Sequence, residues 1–441
     1  MPIVAAILYW LRILRRPMDA RLKRRYVGEF ALGFGAACLI TLWWDLRPAG
    51  FENSYFWGEL AGVMAVYLYS WTMLLATRAR WLEPVFGGLD RMYLWHKRTA
   101  IAGTLLLLPH ALVTGSAPHP IANQTGLTLG AVSLFGLLVL VVVSIPRAGR
   151  ILRLRYERWL FLHRLTGLFL VIGVIHGLVV DRIIGASLLL KIVYSVVGAI
   201  GIVAYAYSEL VMRRRIPTAD YTIAEVRRPT EDIVELALTP TGAGVRPHAG
   251  QFIFLSIGGD NAWREHPFSI AASTPDGGLR LSIRALGRDT RRMHARLEPG
   301  LPAIVTGPYG MFDHTLGGDR QLWIAGGIGV VPFLSWLETL TPDHGRSIDL
   351  FYSVPTEADA LYLPELHAAS QRLPAVRIHP FYTRTQGHLT GTAVTASVEP
   401  LDRTEHVFLC GPRAMVDDLT RDLRRRGIPR EYLHYEHYSF R

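Results

Sequence analysis

Four histidines lie inside two apolar stretches of the sequence, and their spacing suggests a shared task. His96 and His110 lie in LWHKRTAIAGTLLLLPHALV, and His163 and His176 lie in RWLFLHRLTGLFLVIGVIHGLVV. Ionisable side chains are costly and rare inside a membrane span, so each histidine marks a candidate functional site. Neutral imidazole is a common axial ligand of haem iron. The pattern therefore predicts two metal centres, each held between two imidazoles.

The spacing of each histidine pair suits a helix that crosses a membrane. Thirteen or fourteen residues rise roughly 20 Å along a helix, within a hydrocarbon core about 30 Å thick. Fourteen residues return to within about 40° of the same helix face, whereas thirteen end about 140° away. The second pair therefore requires a bend or a shift of the helix axis, and we expect Gly167 and Gly173 to permit it.

A zinc or copper site fits these histidines less well than haem does. Zinc or copper would usually bring Cys, Asp or Glu as further ligands, and these stretches hold almost none close to the histidines. A histidine that only hydrogen-bonds to a neighbouring helix is the structural alternative.

Composition separates the chain into an apolar first half and a second half typical of a soluble α/β protein. Its 441 residues suffice for two or three domains. The two cysteines, Cys38 and Cys410, lie one in each half, which excludes a disulfide framework and a Cys-based metal site.

Six apolar segments are long enough to span a membrane. They lie near residues 28–46, 55–77, 93–114, 126–145, 159–180 and 186–210. Twenty Lys and Arg residues lie in the segments on one side of these spans, against two in the opposite loops. This bias predicts an integral protein of a bacterial-type inner or plasma membrane with both termini cytoplasmic. The same bias explains the net charge of +11 by membrane topology and contact with the lipid bilayer, and not by nucleic-acid binding.

Residues 1–27 begin with the apolar stretch IVAAILYWL and continue with a basic stretch. A signal peptide has the reverse order. We therefore expect an amphipathic interfacial helix on the cytoplasmic face.

In this topology the third and fifth spans run in the same direction. His96 and His163 then share an inner level, and His110 and His176 share an outer level. Phe169 lies six residues after His163 and is expected between the levels, where it would fill the gap between two haem edges or serve as ordinary packing. Four cations at the inner level are candidates for haem propionates or plain membrane anchors: Arg91, Lys97, Arg98 and Arg164.

From about Thr218 the pattern changes to short alternating segments separated by turn residues, which predicts an antiparallel barrel. After Gly310, strands alternate with helices, which predicts a parallel sheet with crossover helices. The expected fold class is thus a six-span membrane α-helical bundle followed by a β-barrel and an α/β unit.

Three short motifs follow one another along the barrel region. HPFS comprises His266, Pro267, Phe268 and Ser269, and is followed by IRALGRDT at 283–290 and GPYG at 307–310. This order resembles the ferredoxin–NADP reductase superfamily, whose barrel binds FAD. The resemblance implies that the HPFS residues contact the flavin ring and ribityl chain. It implies pyrophosphate contacts for Arg284, Gly287 and Thr290.

Glycines also mark a candidate nucleotide turn after a strand. AGGIGVVPF includes Gly326, Gly327, Gly329 and Pro332, and such a turn at a helix N-terminus favours phosphate. The strict G-x-G-x-x-G pattern is absent, but the segment resembles the pyridine-nucleotide site of the same superfamily. The resemblance also implies that Cys410, with Gly411 and Pro412, faces the nicotinamide C4. Near the C-terminus, YEHYSFR would place Phe440 against the flavin.

Joined to the paired histidines, these motifs make the chain resemble the NADPH oxidase and ferric reductase transmembrane family. The resemblance implies an interfacial helix at 1–27, a haem-binding transmembrane domain at 28–215, a FAD-binding barrel at 216–316 and an NAD(P)H-binding domain at 317–441. Electrons would pass from NADPH or NADH to FAD, then through two b-type haems to an outer acceptor, while the protein orients and insulates the cofactors.

Some features depart from the family pattern. Val331 replaces a frequent Thr, and the strand end at 352–355 lacks an Arg for the 2′-phosphate of NADPH. Arg384 is a candidate substitute, and NADH use stays open.

Oxygen, reduced to superoxide, is the preferred acceptor, and it would need a cavity and a cation near the outer haem. Arg47, His119 and Arg182 are the outer-side candidates. A ferric chelate is the alternative acceptor, and a non-catalytic haem-binding or sensor module is the alternative of another class. No obligatory protein partner is expected.

Overall fold

The computed structural model describes residues 20–48, 53–115, 124–145, 151–152, 156–180, 183–212, 218–258, 265–398 and 404–436. These residues fall into two compact units, one before residue 216 and one after it. The predicted interfacial helix, His119, Arg182 and Phe440 lie wholly or mostly outside the described residues.

The first unit is helical. In chain order its described helices are α1 (Ala20–Arg24), α2 (Val27–Asp45), α3 (Asn53–Ala76), α4 (Glu83–Phe86), α5 (Leu89–Gly115), α6 (Gln124–Ser144), α7 (Tyr156–Arg164), α8 (Thr166–Val180), α9 (Ile183–Ala186) and α10 (Leu188–Ala206). A π-helical turn, Tyr207–Met212, continues α10. The packed core of this unit is built largely on α3, with further residues from α2, α6, α8 and α10.

Each predicted span corresponds to helix in the structure. By length and composition, five described segments are apolar enough to cross a membrane: Val27–Asp45, Ser54–Ala76, Gln124–Ser144, Arg158–Val180 and Leu188–Met212. Helix α5, which carries His96 and His110, is long enough at 27 residues. It is less apolar because its first turns, LDRMYLWHKR, are charged. The predicted membrane helical bundle is confirmed.

The helix break between His163 and His176 lies at Leu165, where α7 ends and α8 begins. The Leu165 N–H donates to the carbonyl of Leu162, a tighter turn than the α-helical one. The predicted bend at Gly167 or Gly173 is therefore displaced towards His163. Gly167 instead makes room for the ring of Tyr205, since a β-carbon there would lie 2.1 Å from that ring. Because of this break, His163 and His176 can both direct their imidazoles towards α5 although they are 13 residues apart.

The second unit begins with a closed antiparallel barrel, as predicted. Its strands are β1 (Thr218–Arg227), β2 (Ile233–Pro240), β3 (Phe252–Ile257), β4 (His266–Ser273), β5 (Leu279–Arg284) and β6 (Pro302–Tyr309), in the order β1-β2-β5-β4-β3-β6. Alternate residues of these strands point inward and form one apolar core. Helix α11 (Arg288–Arg296) follows β5.

A five-stranded parallel sheet follows, also as predicted. Its strands are β7 (Arg320–Gly326), β8 (Ser347–Val354), β9 (Val376–Tyr382), β10 (His406–Cys410) and β11 (Leu433–Tyr435), in the order β11-β10-β7-β8-β9. Its helices are α12 (Val331–Thr339), α13 (Leu363–Arg372), α14 (Thr383–Gln386), α15 (Gly391–Ser397) and α16 (Arg413–Arg425). The strand order reverses between β7 and β10, and ligands of such sheets bind at the carboxyl ends beside this reversal.

Candidate functional site

The four histidines form two pairs between α5 and the α7–α8 span. The ring centres of His96 and His163 lie 5.9 Å apart, with the ring planes 67° apart. Those of His110 and His176 lie 6.1 Å apart, with the planes 77° apart. The structure therefore brings together the pairs that were expected to share the inner and outer levels.

A hydrogen bond at Nδ1 orients each imidazole. Nδ1 of His96 lies 2.9 Å from the carbonyl oxygen of Thr72, and Nδ1 of His110 lies 2.9 Å from that of Gly58. Nδ1 of His176 lies 2.7 Å from the carbonyl oxygen of Gly126. A carbonyl only accepts, so Nδ1 carries the proton and Nε2 keeps the lone pair that binds a metal.

His163 has a different partner. Its Nδ1 lies 3.0 Å from Oγ of Ser144, and that hydroxyl donates to the carbonyl of Leu140 at 2.7 Å. Because the Ser144 proton is directed at Leu140, the hydroxyl oxygen accepts from Nδ1–H of His163. All four histidines thus adopt the same tautomer, with Nε2 as the ligand atom.

The spacing of each pair fits an interposed metal. Two metal–nitrogen bonds of about 2 Å, with about 1.2 Å from each nitrogen to its ring centre, give about 6.4 Å between ring centres. Among the described residues, no group of three or more His, Cys, Asp or Glu side chains forms a metal site. Each level thus offers two protein ligands, a donor set that suits haem because the macrocycle supplies the other four nitrogens.

A cavity adjoins the outer pair. Its empty volume is about 1360 Å³, including open solvent at its mouth, and both His110 and His176 line it. Glycines create room for the rings: a β-carbon would lie 2.6 Å from the His110 ring at Gly62, and 2.7 Å from the His176 ring at Gly130. This glycine-lined space fits a large planar group held between the two imidazoles.

Of the two alternatives predicted for Phe169, its contacts in the structure match ordinary packing. The ring of Phe169 packs on α6, where a β-carbon at Gly136 would lie 2.2 Å from it. Tyr69 lines the outer cavity instead, and its hydroxyl lies 2.7 Å from that of Thr104. Its ring faces Gly103, midway along α5 between His96 and His110. Sequence reasoning missed Tyr69 because it lies on α3, far from the histidines in sequence.

Arg91 and Arg164, two of the cations predicted at the inner level, have carboxylate partners within the helical unit. Arg91 forms an ion pair with Glu29, and Arg164 lies 3.6 Å from Glu209. These contacts favour structural ion pairs over propionate binding for Arg91 and Arg164.

In the barrel, HPFS forms the first four residues of β4, and Arg284 ends the neighbouring strand β5. Gly287 caps α11, where its N–H donates to the Thr290 hydroxyl at 2.9 Å. His266 lies 3.7 Å from Asp289, at the start of the same helix. The structure thus gathers the predicted FAD residues of HPFS, Arg284, Gly287 and Thr290 at one end of the barrel.

Asp232, which sequence reasoning missed, holds Arg284 in place. Nε of Arg284 donates to its carboxylate at 2.7 Å, and the Thr230 hydroxyl donates to the same group at 3.0 Å. Burial disfavours ionisation, but these hydrogen bonds outweigh it and hold the pKa of Asp232 below its ordinary value. A β-carbon on Gly327 would lie 3.5 Å from Nη1 of Arg284, so the arginine reaches the glycine turn after β7.

The two predicted nicotinamide-side motifs meet beside the strand reversal. Gly326 ends β7, Gly327–Val330 form a 3₁₀ turn, and Pro332 lies in the first turn of α12. A β-carbon on Gly329 would lie 2.4 Å from the carbonyl oxygen of Cys410, and one on Gly411 would lie 3.0 Å from Gly326. The backbone at this edge therefore approaches closely only because these positions are glycines.

Three other predicted residues differ in their structural positions. Cys410 ends β10 and its side chain is buried. Pro412 immediately precedes α16. Arg384 is exposed, and its N–H donates to the carbonyl of Pro355 at 3.0 Å, which places it at the carboxyl ends of β8 and β9.

Glu436 is a further residue that the motifs did not reveal. Its carboxylate is buried beside GPYG, 3.2 Å from where a β-carbon on Gly310 would lie. The sequence did contain a signal for this residue, because Glu436 directly follows β11 in the C-terminal segment that resembles the flavin site of the superfamily.

Comparison with known proteins agrees with this architecture. The family model of the ferric reductase like transmembrane component matches residues 61–174. The models of a FAD-binding domain and an oxidoreductase NAD-binding domain match residues 219–313 and 323–421.

Curated relatives match the second half of the chain. Ferredoxin–NADP reductase B of Sorangium cellulosum is 31% identical over 210 residues, which cover 43% of this chain and 85% of the relative. The ferredoxin–NAD(+) reductase component of the alkene monooxygenase system of Xanthobacter autotrophicus is 28% identical, over 47% of this chain and 65% of its own length.

A solved structure of flavohemoglobin from Malassezia yamatoensis with bound FAD and heme has a TM-score of 0.52 at 17% identity, over 88% of this chain and 98% of that one. At this identity the likeness concerns the fold alone. The apolar helices, the flavin barrel and the nucleotide sheet together make the protein a membrane-bound, flavin-dependent oxidoreductase. The chain belongs to the ferric reductase and NADPH oxidase transmembrane family, with a ferredoxin–NADP reductase-like second unit that binds FAD and NAD(P)H.

Proposed function

We propose that the protein carries electrons from cytosolic NAD(P)H through FAD and two b-type haems to an acceptor on the outer side of the membrane. The main support for this proposal is that His96 faces His163 and His110 faces His176. In addition, Nδ1 of each of these histidines is hydrogen-bonded. Such fixed tautomers would suit haem binding, because they would leave Nε2 of each histidine for the iron.

Bound haems supply one-electron redox chemistry, and FAD joins it to two-electron hydride transfer. The residues of the chain orient these groups. Arg284, with the glycine-rich turn after β7, would hold phosphates, and Cys410 with Gly411 would border the nicotinamide. Ser269 and Phe268, with the C-terminal Phe440, would border the flavin. Tyr69 would lie between the two haem levels, and Phe169 would pack against α6 beside Gly136.

Oxygen is the first acceptor that we propose. One NAD(P)H yields two electrons and one proton, and two O₂ molecules become two superoxide ions. The cavity at His110 and His176 supports access of a small acceptor to the outer pair.

Ferric iron is the second candidate, and one observation favours it. The described lining of the outer cavity contains the carboxylate of Glu59 and no Lys or Arg side chain. A carboxylate suits a cationic acceptor better than an anionic product. Arg47, one of the predicted outer cations, lies over the ring of Trp44 at 3.6 Å instead.

The test uses the purified full-length protein supplied with FAD and haem. Anaerobic NADPH or NADH should bleach the oxidised flavin band and bring up reduced haem bands, with two haems per chain. Oxygen or a ferric chelate is then added to the reduced protein. Fast haem reoxidation with superoxide dismutase-sensitive dye reduction supports the oxidase, whereas trapping of ferrous iron supports the iron reductase.

Replacement of the ligands tests the assignment directly. His110→Leu should reduce haem content from two to one per chain, whereas His367→Leu, at an exposed position of the second unit, should retain both. Haem-free wild-type protein would overturn the proposal, whereas bound haem that NAD(P)H does not reduce would leave a non-catalytic haem-binding or sensor module as the better description.

A further inference from the structure

The two histidine pairs differ in what accepts their Nδ1 protons. At the outer pair, both acceptors are backbone carbonyls, those of Gly58 and Gly126. At the inner pair, His96 uses the carbonyl of Thr72, but His163 uses the side-chain hydroxyl of Ser144. Ser144 is therefore the one Nδ1 partner among these four that a substitution can remove.

The Ser144 hydroxyl is held in its accepting orientation. Its proton is donated to the carbonyl of Leu140, one turn earlier in α6, at 2.7 Å. Ser144 ends α6, and α7 brings His163 to that end. The hydroxyl oxygen thus faces Nδ1–H of His163 with its lone pairs.

A hydrogen bond at Nδ1–H increases the basicity of Nε2 and so favours the oxidised metal. Hydrogen bonding around the axial ligands is one of the means by which a protein sets a haem potential. Removing the acceptor should leave Nε2 less electron-rich, and the metal should then be easier to reduce.

We propose that Ser144 is a positioning residue that lowers the reduction potential of the inner haem by accepting the Nδ1 proton of His163. This inference rests on the proposed function, which assigns His96 and His163 as ligands of that haem. It concerns the potential of one centre and leaves the route of the electrons unchanged.

Neighbouring contacts keep the His163 ring in place when the hydroxyl is removed. The Trp159 indole stacks on the ring, with centres 5.1 Å apart and planes 14° apart. Thr166 also donates to the carbonyl of His163 at 2.6 Å, at the start of α8. Alanine is a good helix former, so Ser144→Ala should fold and retain both haems.

The experiment is a redox titration of the haem absorbance in the full-length protein reconstituted in lipid nanodiscs. Wild type should show two one-electron components. In Ser144→Ala the midpoint potential of one component should rise by at least about 28 mV. This rise corresponds to a threefold increase in the equilibrium constant for reduction, at 59 mV per tenfold. The other component should not move.

Two further variants separate positioning from packing. Ser144→Thr keeps a hydroxyl at the same position and should restore the wild-type potential. Thr128→Ala removes a hydroxyl that donates one turn back within the same helix, to Gln124, and should move neither component.

Three results would overturn the inference: both potentials unchanged in Ser144→Ala, both moved equally, or no recovery with Thr. In each of these cases the wild type would still contain two haems, and the proposed function would stand. A wild-type protein without haem would overturn the proposed function and this inference together.

Discussion

A β-carbon on Gly62 would lie 2.6 Å from Nδ1 of His110, so the glycine of α3 and the imidazole of α5 are in direct contact. One turn earlier, Gly58 supplies the carbonyl that accepts from the same nitrogen. Gly126 and Gly130 repeat this arrangement for His176. Two glycines four residues apart thus provide both the hydrogen bond and the space that each outer imidazole needs.

Gly62→Ala should therefore displace the His110 ring and reduce haem content from two to about one per chain. Overpacking of this kind also costs about 1–3 kcal/mol of stability. Pyridine haemochrome absorbance per mole of protein measures the loss. Gly33→Ala on α2 is the matched control, because a β-carbon there meets no atom within 4 Å. Two haems retained in Gly62→Ala would show that the ring tolerates the added methyl group.

The sequence was sufficient to predict the spans, the barrel, the parallel sheet and which histidines face each other. These features repeat with the period of a helix or strand, or follow from membrane topology, so local sequence encodes them. The break at Leu165 was not predictable in the same way, because neither Gly nor Pro occupies that position. The bend was consequently expected at Gly167 or Gly173.

The partners that orient the site residues were also beyond sequence reasoning. Ser144 precedes His163 by 19 residues, and Asp232 precedes Arg284 by 52. These pairs depend on which helices and strands become neighbours. Motif spacing shows the groups that touch a cofactor, whereas the residues that hold those groups carry no motif of their own.

Arg284→Gln should weaken FAD binding by about 10–100-fold, because a hydrogen bond to a charged group contributes about 1.5–3 kcal/mol. Flavin fluorescence during titration of the deflavinated full-length protein gives the dissociation constant. Arg280→Gln is the matched control on the same strand, since Arg280 pairs with Glu365. Equal losses in the two variants would assign the effect to barrel stability rather than to the FAD phosphates.

Arg384→Ala should raise the KM for NADPH by about 10–100-fold and change the KM for NADH little, because only NADPH carries a 2′-phosphate for the guanidinium. Steady-state reduction of a dye by each nucleotide measures the ratio. Arg421→Ala, an exposed arginine of α16 paired with Asp418, is the control. A parallel change for both nucleotides would exclude selectivity at position 384.

His314 should make the nucleotide-binding half of the chain sensitive to mild acid. It is buried between Trp323 and Trp336, and this burial lowers its pKa to about 4. The unfolded chain binds this proton from about pH 6.5 downward, whereas the folded protein does not, so stability is full above pH 6.5 and declines towards pH 4. Lowering the pH from 7.5 to 5.5 should therefore reduce the free energy of unfolding by about 1.3 kcal/mol through this residue.

His314→Phe should remove this pH dependence, and His367→Phe, at an exposed position, should retain it. Denaturant unfolding of the full chain, followed through tryptophan fluorescence, measures the free energy of unfolding at each pH. Identical pH profiles for wild type and His314→Phe would mean that another group causes the acid sensitivity.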